Sequence, residues 1–379
     1  MLACRLAVAS LALSSAGAST AQAAAPPKAG HVVIAYVFPK DGLIDPAEIA
    51  ADELTHINYA FANVAHGKVV EGFAKDAENF KVLGELRKKH RHLKVLVSVG
   101  GWTWSKGFSD VALTPESRKV FVESAIAFVR RHGLDGFDVD WEYPGMVGDG
   151  NVFRPEDKEN FTALMADLRA ALDREGNRTK RHLALTFAAG ASSEFLEHTE
   201  MAKVQASVDF VNLMTYDFRV AGDSGEAGHH ANLYPNPTDP HQASADRGVR
   251  EFLAAGVPPG KLVLGVPFYG RAWSVTTAEA RGLYQPGKAP AEKIETGYSK
   301  LAADRIDKAG FERVWDDKAQ APFLWSADRK IFISYEDPES LRLKCRYIRD
   351  QKLAGAMFWE YYSDPSGVLL RTLAEELLK

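Results

Sequence analysis

The ten residues from Asp135 to Pro144, DGFDVDWEYP, decide how this chain is read. Asp138, Asp140 and Glu142 alternate there with Phe137, Val139 and Trp141. An extended strand sorts such an alternation, because successive side chains point to opposite faces. Three carboxyls then form one row and three apolar groups another. Residues two apart on one face stand roughly 6.6 Å apart, so each carboxyl feels its neighbours' charge. Such a row adds no stability: like charges repel, and at least one proton must be retained. A solvated edge strand would mix Lys among the acids, and calcium or magnesium sites more commonly draw on loop ligands. The row points to a catalytic carboxyl cluster with shifted pKa values, with a metal site still open on the alternation alone.

Outward from this strand, similar short apolar runs recur. They are 31–37 (HVVIAYV), 56–62 (HINYAFA), 93–99 (LKVLVSV), 134–141, 182–188 (HLALTFA), 208–215 (VDFVNLMT), 262–268 (LVLGVPF) and 354–360 (AGAMFWE). Helical patterns lie between them, as at 116–132 and 155–174. The first has Thr114 placed as N-cap, Pro115 as first helical residue and Gly133 as stop. Apolar strands alternating with helices indicate a parallel sheet covered on both faces, and eight such units favour a (β/α)8 TIM barrel. No Gly-x-Gly-x-x-Gly loop follows the first strand, which argues against a nucleotide-binding open sheet. Two connections depart from the pattern. Residues 218–242 form a long loop rich in His, Pro and Asn. Residues 272–335, between strands seven and eight, contain strand-like runs (PFLW, KIFISY) and are expected to form a small α+β insertion.

In such a barrel the active site lies at the C-terminal strand ends. Six of those ends read Tyr59/Phe61, SVGGW, DVDWEYP, MTYD, PFYGR and MFWE. Aromatic, acidic and Gly-rich chemistry therefore collects at one mouth, as a catalytic site requires and a purely structural barrel does not.

The net charge of −4 over 379 residues, without a concentrated basic run, gives no argument for nucleic acid or an acidic membrane surface as partner. The first 23 residues read as a secretory signal: Arg5, an apolar stretch Leu6 to Leu13, and the cleavage site Ala21-Gln22-Ala23. A linker over 24–30 with Pro26-Pro27 then leads to a catalytic unit over 31–379. No later run reaches spanning length. Cys4 leaves with the signal, so the mature chain has Cys345 alone, read as a small buried residue within a helix over 338–352. Stability must then come from the core and not from disulfides. His229 and His230 are adjacent and lack a spaced third ligand, so no metal is expected, nor any cofactor.

Taken together the motifs resemble family 18 glycoside hydrolases, the retaining chitinases. Asp135 to Glu142 matches the DxxDxDxE signature, Ser98 to Gly101 the SxGG motif, Met214 to Asp217 the MxYD motif and Tyr269 to Arg271 the YGR motif. The likeness spans about residues 31–375. The insertion is similar to that of the deep-cleft chitinases, where it forms one wall of the cleft. The first strand departs from the family: Ala35-Tyr36-Val37-Phe38 stands where many relatives carry a paired aromatic and a following Trp.

The resemblance implies chitin or chitooligosaccharides as partner and substrate-assisted hydrolysis, one of the exceptions to the two-carboxylate scheme. On that basis Glu142 is the general acid, its pKa expected to be raised by neighbouring carboxylates. Asp140 holds the sugar's acetamido N–H, Asp138 shares a proton with Asp140, and Tyr216 orients the acetamido carbonyl. Asp217 binds the reacting sugar over Trp359, and Met214, Tyr269 and Arg271 line the same pocket, with Phe61 close by. Tyr36 and Ser98 are either partners of the buried acid pair or ordinary core hydroxyls. Trp102 and Trp104 either extend the sugar path or pack. Asp135, of opposite strand parity from Asp138, is read as structural. Two rivals stay open: a chitin-binding lectin, which usually lacks the acid at Glu142, and a hydrolase of N-glycan cores or peptidoglycan. The sequence says nothing of oligomeric state or of exo against endo action.

Overall fold

A computed structural model of the chain describes residues 30–222 and 225–379. The segment read as a secretory signal, and Cys4 with it, lies outside the described residues. All eight anticipated strands form, as β1 (Val32–Val37), β2 (His56–Ala65), β3 (Lys94–Gly100) and β4 (Gly136–Asp140), then β5 (Ala184–Gly190), β6 (Phe210–Met214), β7 (Leu262–Pro267) and β8 (Gly355–Trp359). Each pairs in parallel with its neighbours, and β1 closes the barrel by pairing with both β2 and β8.

Strand parity sorts the chain as the alternation requires. Phe137, Val139 and Trp141 join the large apolar layer between strands and helices, where Trp141 stacks on Phe108 and meets the edge of Phe161. Burying aromatic surface of this kind contributes on the order of 2 kcal/mol per side chain, which fixes the strand's face. The opposite parity faces the barrel interior, filled by a smaller cluster that includes Ile34, Tyr36, Val263 and Met357. Around the barrel the helix Pro115–His132 starts on a Thr114–Ser117 capping box and stops at Gly133, in the left-handed region at φ 64°.

Strand two runs three residues past its anticipated end. His66 and Gly67 both have positive φ, as a two-residue hairpin turn of the primed type needs, and the chain folds back as Lys68–Val70. Beyond β7, residues 271–334 hold a five-stranded antiparallel sheet with the helix Tyr298–Asp304. That sheet has its own core of Trp273, Phe323, Trp325 and Phe332, and Ala227 of the long loop after β6 packs into it. Loop and insertion thus stand together on one side of the mouth. No helix of the described residues is long and apolar enough to cross a membrane.

Candidate active site

The carboxyl row is less uniform than its sequence. Asp138 and Asp140 lie on the barrel ladder, while Glu142 sits two residues beyond its last member. Glu142 is held there by its main chain: its N–H donates to Ser105 Oγ at 2.9 Å and its carbonyl accepts from Asn151 Nδ2 at 2.6 Å. The neighbouring Gly100 and Gly101 let β3 approach. A Cβ on Gly100, at φ 111°, would stand 2.2 Å from the Asp140 carbonyl oxygen, and Gly101 donates its N–H to that same oxygen at 2.8 Å.

Asp138 is fully buried and meets four donors. Ser98 Oγ (2.7 Å) and Tyr36 Oη (3.0 Å) donate to Oδ2, while Thr186 Oγ1 and Asn212 Nδ2 (3.2 Å) donate to Oδ1. Ser98, Asp138 and Thr186 are register partners on β3, β4 and β5, so the ladder itself brings them together. Asn212 also donates to Tyr36 Oη, which leaves the tyrosine's own proton for Asp138. Tyr36 and Ser98 therefore serve the buried acid. No hydrogen bond links Asp138 to Asp140 among the described residues, so the two interact through charge. Burial pushes the Asp138 pKa up while its four donors pull against it. Asp140 has no such help: one carboxyl oxygen is buried without a partner. Burial first, then the charges of Glu142 and Asp138, hold its pKa well above the carboxylate range. Glu142, half-buried at the cleft, is raised to about 7, chiefly by burial, with the Tyr143 hydroxyl opposing and the Asp217 charge adding. The row neighbours expected to raise it are not the leading cause.

Opposite the row, Tyr216 follows β6 and turns its hydroxyl into the cleft, where among the described residues it meets only the Met357 sulfur, at 3.9 Å. Asp217 sits in the left-handed region, φ 57°, an uncommon conformation that Asp tolerates better than most residues. Its carboxylate accepts from Arg271 Nε (2.8 Å) and Nη2 (2.6 Å) and from Tyr269 Oη (2.8 Å), with buried His230 Nδ1 at 3.4 Å. Burial alone would raise its pKa, but His230 and Arg271 outweigh burial and hold it well below the usual range. His229, by contrast, pairs with Asp316 at 3.0 Å, away from the row.

The floor is aromatic. Trp359 faces the cleft with Phe61 stacked against it at 5.4 Å, so Phe61 supports that ring. Phe38 (5.6 Å from Trp359), Phe73 (5.9 Å from Phe38) and Trp104 (4.9 Å from Phe73) continue it as one strip. Trp102 stands free on the lip, 51% exposed, and Met214 lines the wall beside Tyr216. Sequence reading missed Thr186, Asn212, Ser105, Asn151, His230 as a partner of Asp217, and the Phe38–Phe73 link. For Thr186 and Asn212 a signal existed: each is a polar residue at inward parity in an otherwise apolar strand.

The model of the Glycosyl hydrolases family 18 matches residues 32–364. Chitinase A1 of Niallia circulans is 39% identical over 390 residues, covering 87% of this chain, and the chain spans 56% of that protein's length. Chitotriosidase-1 of Mus musculus is 32% identical, over 90% of this chain and 74% of its own length. Among solved structures, a glycoside hydrolase family 18 N-acetylglucosaminidase from Paenibacillus barengoltzii superposes with a TM-score of 0.84 at 43% identity. It is covered completely by 92% of this chain. Chitinase ChiA74 from Bacillus thuringiensis also reaches 0.84, at 35% identity, with 92% and 70% of the two chains covered.

Proposed function

The chain belongs to glycosyl hydrolase family 18, and on that premise we propose that it is an exported chitinase. It hydrolyses the β-1,4 bonds between N-acetylglucosamine units of chitin or its soluble oligomers, with retention of configuration. One observation carries this reading: three carboxyls of one row occupy three different environments. Asp138 is saturated by neutral donors, Asp140 keeps a buried oxygen without a partner, and Glu142 meets the cleft with a pKa near neutrality.

Each environment suits one task. Glu142, protonated near neutral pH, gives its proton to the glycosidic oxygen as that bond breaks. The substrate's acetamido oxygen attacks the anomeric carbon from the other side and forms an oxazolinium ion. The free oxygen of Asp140 accepts the acetamido N–H; as positive charge develops beside it the proton of the acid pair settles on Asp138, and the Asp140 anion stabilises the cation. Tyr216, whose hydroxyl lacks an oxygen or nitrogen partner among the described residues, donates to the acetamido carbonyl and aims it. Glu142, now a carboxylate, takes a proton from water, which opens the oxazolinium ion and restores the starting configuration. Asp217, clamped by Arg271 and Tyr269, is a fixed anion against the sugar lying on Trp359.

The test is to incubate the wild type and Glu142→Gln with soluble chitin oligomers and follow product anomers from the first turnovers. Initial β-anomers from the wild type, with a variant that binds and does not cut, are expected. Inactivity of the wild type would overturn the hydrolase reading, and initial α-anomers would overturn retention. The sizes of the first products separate exo from endo action. Export rests on Arg5, the apolar stretch and the Ala21-Gln22-Ala23 site. A mature amino terminus near Ala24, on protein recovered from the medium or the periplasm, is the expected result.

A further inference from the structure

Behind the aromatic strip lies a buried polar triad that the proposed chemistry does not use. Tyr59 of β2 and Asp76 and Asn79 of the helix Asp76–Lys89 are each fully buried. Tyr59 Oη donates to Asp76 Oδ1 at 2.6 Å and accepts from Asn79 Nδ2 at 3.1 Å, which ties the three together. Their remaining atoms all reach for main chain in two loops. Asp76 Oδ2 accepts from the N–H groups of Gly72 (2.8 Å) and Phe73 (2.9 Å). Asn79 Oδ1 accepts from the Ile44 N–H at 2.9 Å, and its Nδ2 donates to the Gly42 carbonyl at 3.0 Å.

These bonds flank two cleft residues. Asn79 grips the chain on either side of Leu43, and Asp76 holds Phe73 by its own N–H. Leu43 is 56% exposed on the cleft wall, and Phe73 is the ring that joins Phe38 to Trp104. A large side chain held out to solvent at a cleft wall is not explained by the core, and burying three polar groups costs stability unless each is fully bonded. Here every bond is made, and the structure obtained is the placement of two loops relative to each other.

We propose that Asn79, with Asp76 and Tyr59, is a positioning clamp that sets the outer part of the sugar bed, so that it governs grip on long chains and not bond cleavage. The inference rests on the chitooligosaccharide reading above. Sugars close to Glu142 lie on Trp359, whose support comes from Phe61. Sugars farther along the chain meet the Phe73 and Leu43 segment, whose backbone the clamp fixes.

The experiment compares Asn79→Asp with the wild type on a chitin hexasaccharide and a trisaccharide. The substitution is isosteric and keeps the acceptor for Ile44, but removes the donor to Gly42 and Tyr59. The ratio of the hexasaccharide KM to the trisaccharide KM is expected to rise about fivefold, with kcat moved less than KM. A general loss of folding would move both substrates alike. An unchanged ratio overturns the proposal. Should Asn79→Asp fail to fold, Leu43→Ala, an exposed truncation, carries the test: a raised ratio supports the clamp's role and an unchanged one overturns it. If the wild type cuts neither oligomer, the hydrolase reading fails by itself. The clamp is then judged by calorimetric binding of the hexasaccharide, where equal affinity of Asn79→Asp and wild type overturns it.

Discussion

Asp135, at the foot of β4, and Asp138, three residues further on, are both buried carboxyls of one strand. The first is met by the guanidinium groups of Arg87 and Arg181 and by the Val95 N–H, whereas the second meets four donors that are all neutral. Asp209, just before β6, repeats the first pattern with Arg169 and His182. At the mouth, Asp217 also has an arginine. Acidity and burial therefore do not mark the reactive groups. A buried acid beside a cation has a fixed partner for its charge and behaves as structure or as a fixed anion. Asp138, Asp140 and Glu142 have no cation in hydrogen-bond contact, and burial raises the pKa of all three, as it does for Asp76 behind the aromatic strip.

The comparison breaks most visibly at Asp140. Asp140→Asn keeps the shape and removes the charge that stabilises the oxazolinium ion, so kcat on chitin oligomers is expected to fall about 10²–10³-fold with the fold unchanged. Circular dichroism beside steady-state kinetics checks both halves. A loss below tenfold would mean that the free oxygen of Asp140 does not meet the reacting sugar. The mirror experiment is Asp135→Asn. It leaves two guanidinium groups at the barrel foot facing a neutral amide, and unfolding free energy is expected to drop by about 2 kcal/mol. Per folded molecule the activity should not change, because the residue lies at the opposite end of the strand. A large fall in kcat without a fall in stability would erase the distinction between the two ends.

Next in size is the effect of pH through Glu142. Its folded pKa of about 7 lies above the ordinary glutamate value of about 4.3. As the general acid it must be protonated, so kcat/KM is expected to decline as pH rises through about 7. Stability moves the same way. Between the two pKa values the unfolded chain binds fewer protons than the folded one, so this group's stabilisation is complete below the unfolded value and lost as pH rises through the folded one. Glu142→Gln removes that loss. Its melting temperature should gain on the wild type between pH 5 and pH 8, by about 2–4 °C. A difference that stays constant with pH would show that the carboxyl is ionised throughout.

The eight strands were legible because each is apolar on both faces or alternates cleanly, and the mouth was legible because motifs fall at strand ends. The clamping of Glu142 by Ser105 and Asn151 was not, since those residues lie in loops whose paths are set by main-chain contacts. The same holds for Phe38 and Phe73, which touch only once the barrel closes and the Asp76 and Asn79 bonds fix two loops. His230 gave the sequence a candidate without a partner, because its neighbour Asp217 is placed by a left-handed turn. The order of the acids was visible from their spacing. What separates them is the number of donors each meets, and that depends on the register of three strands.

The finest test of the comparison is Thr186→Val, which removes one of the four donors to Asp138 at nearly constant volume. The lost hydroxyl leaves the Asp138 anion less stabilised, so its pKa, already raised by burial, should climb further. The pair's proton then shifts toward Asp138 and away from Asp140. Asp140 then keeps its charge to lower pH, so the acidic limb of the kcat profile should move to lower pH by about half a unit to one unit, as befits a change of about 1 kcal/mol, with kcat at its optimum not lowered. KM should hold, because Thr186 is buried behind Asp138 and does not line the cleft. A profile that keeps its shape while kcat falls would point instead to a misplaced strand. Neutral donors would then have only a packing role, and the missing cation alone would account for the row's behaviour.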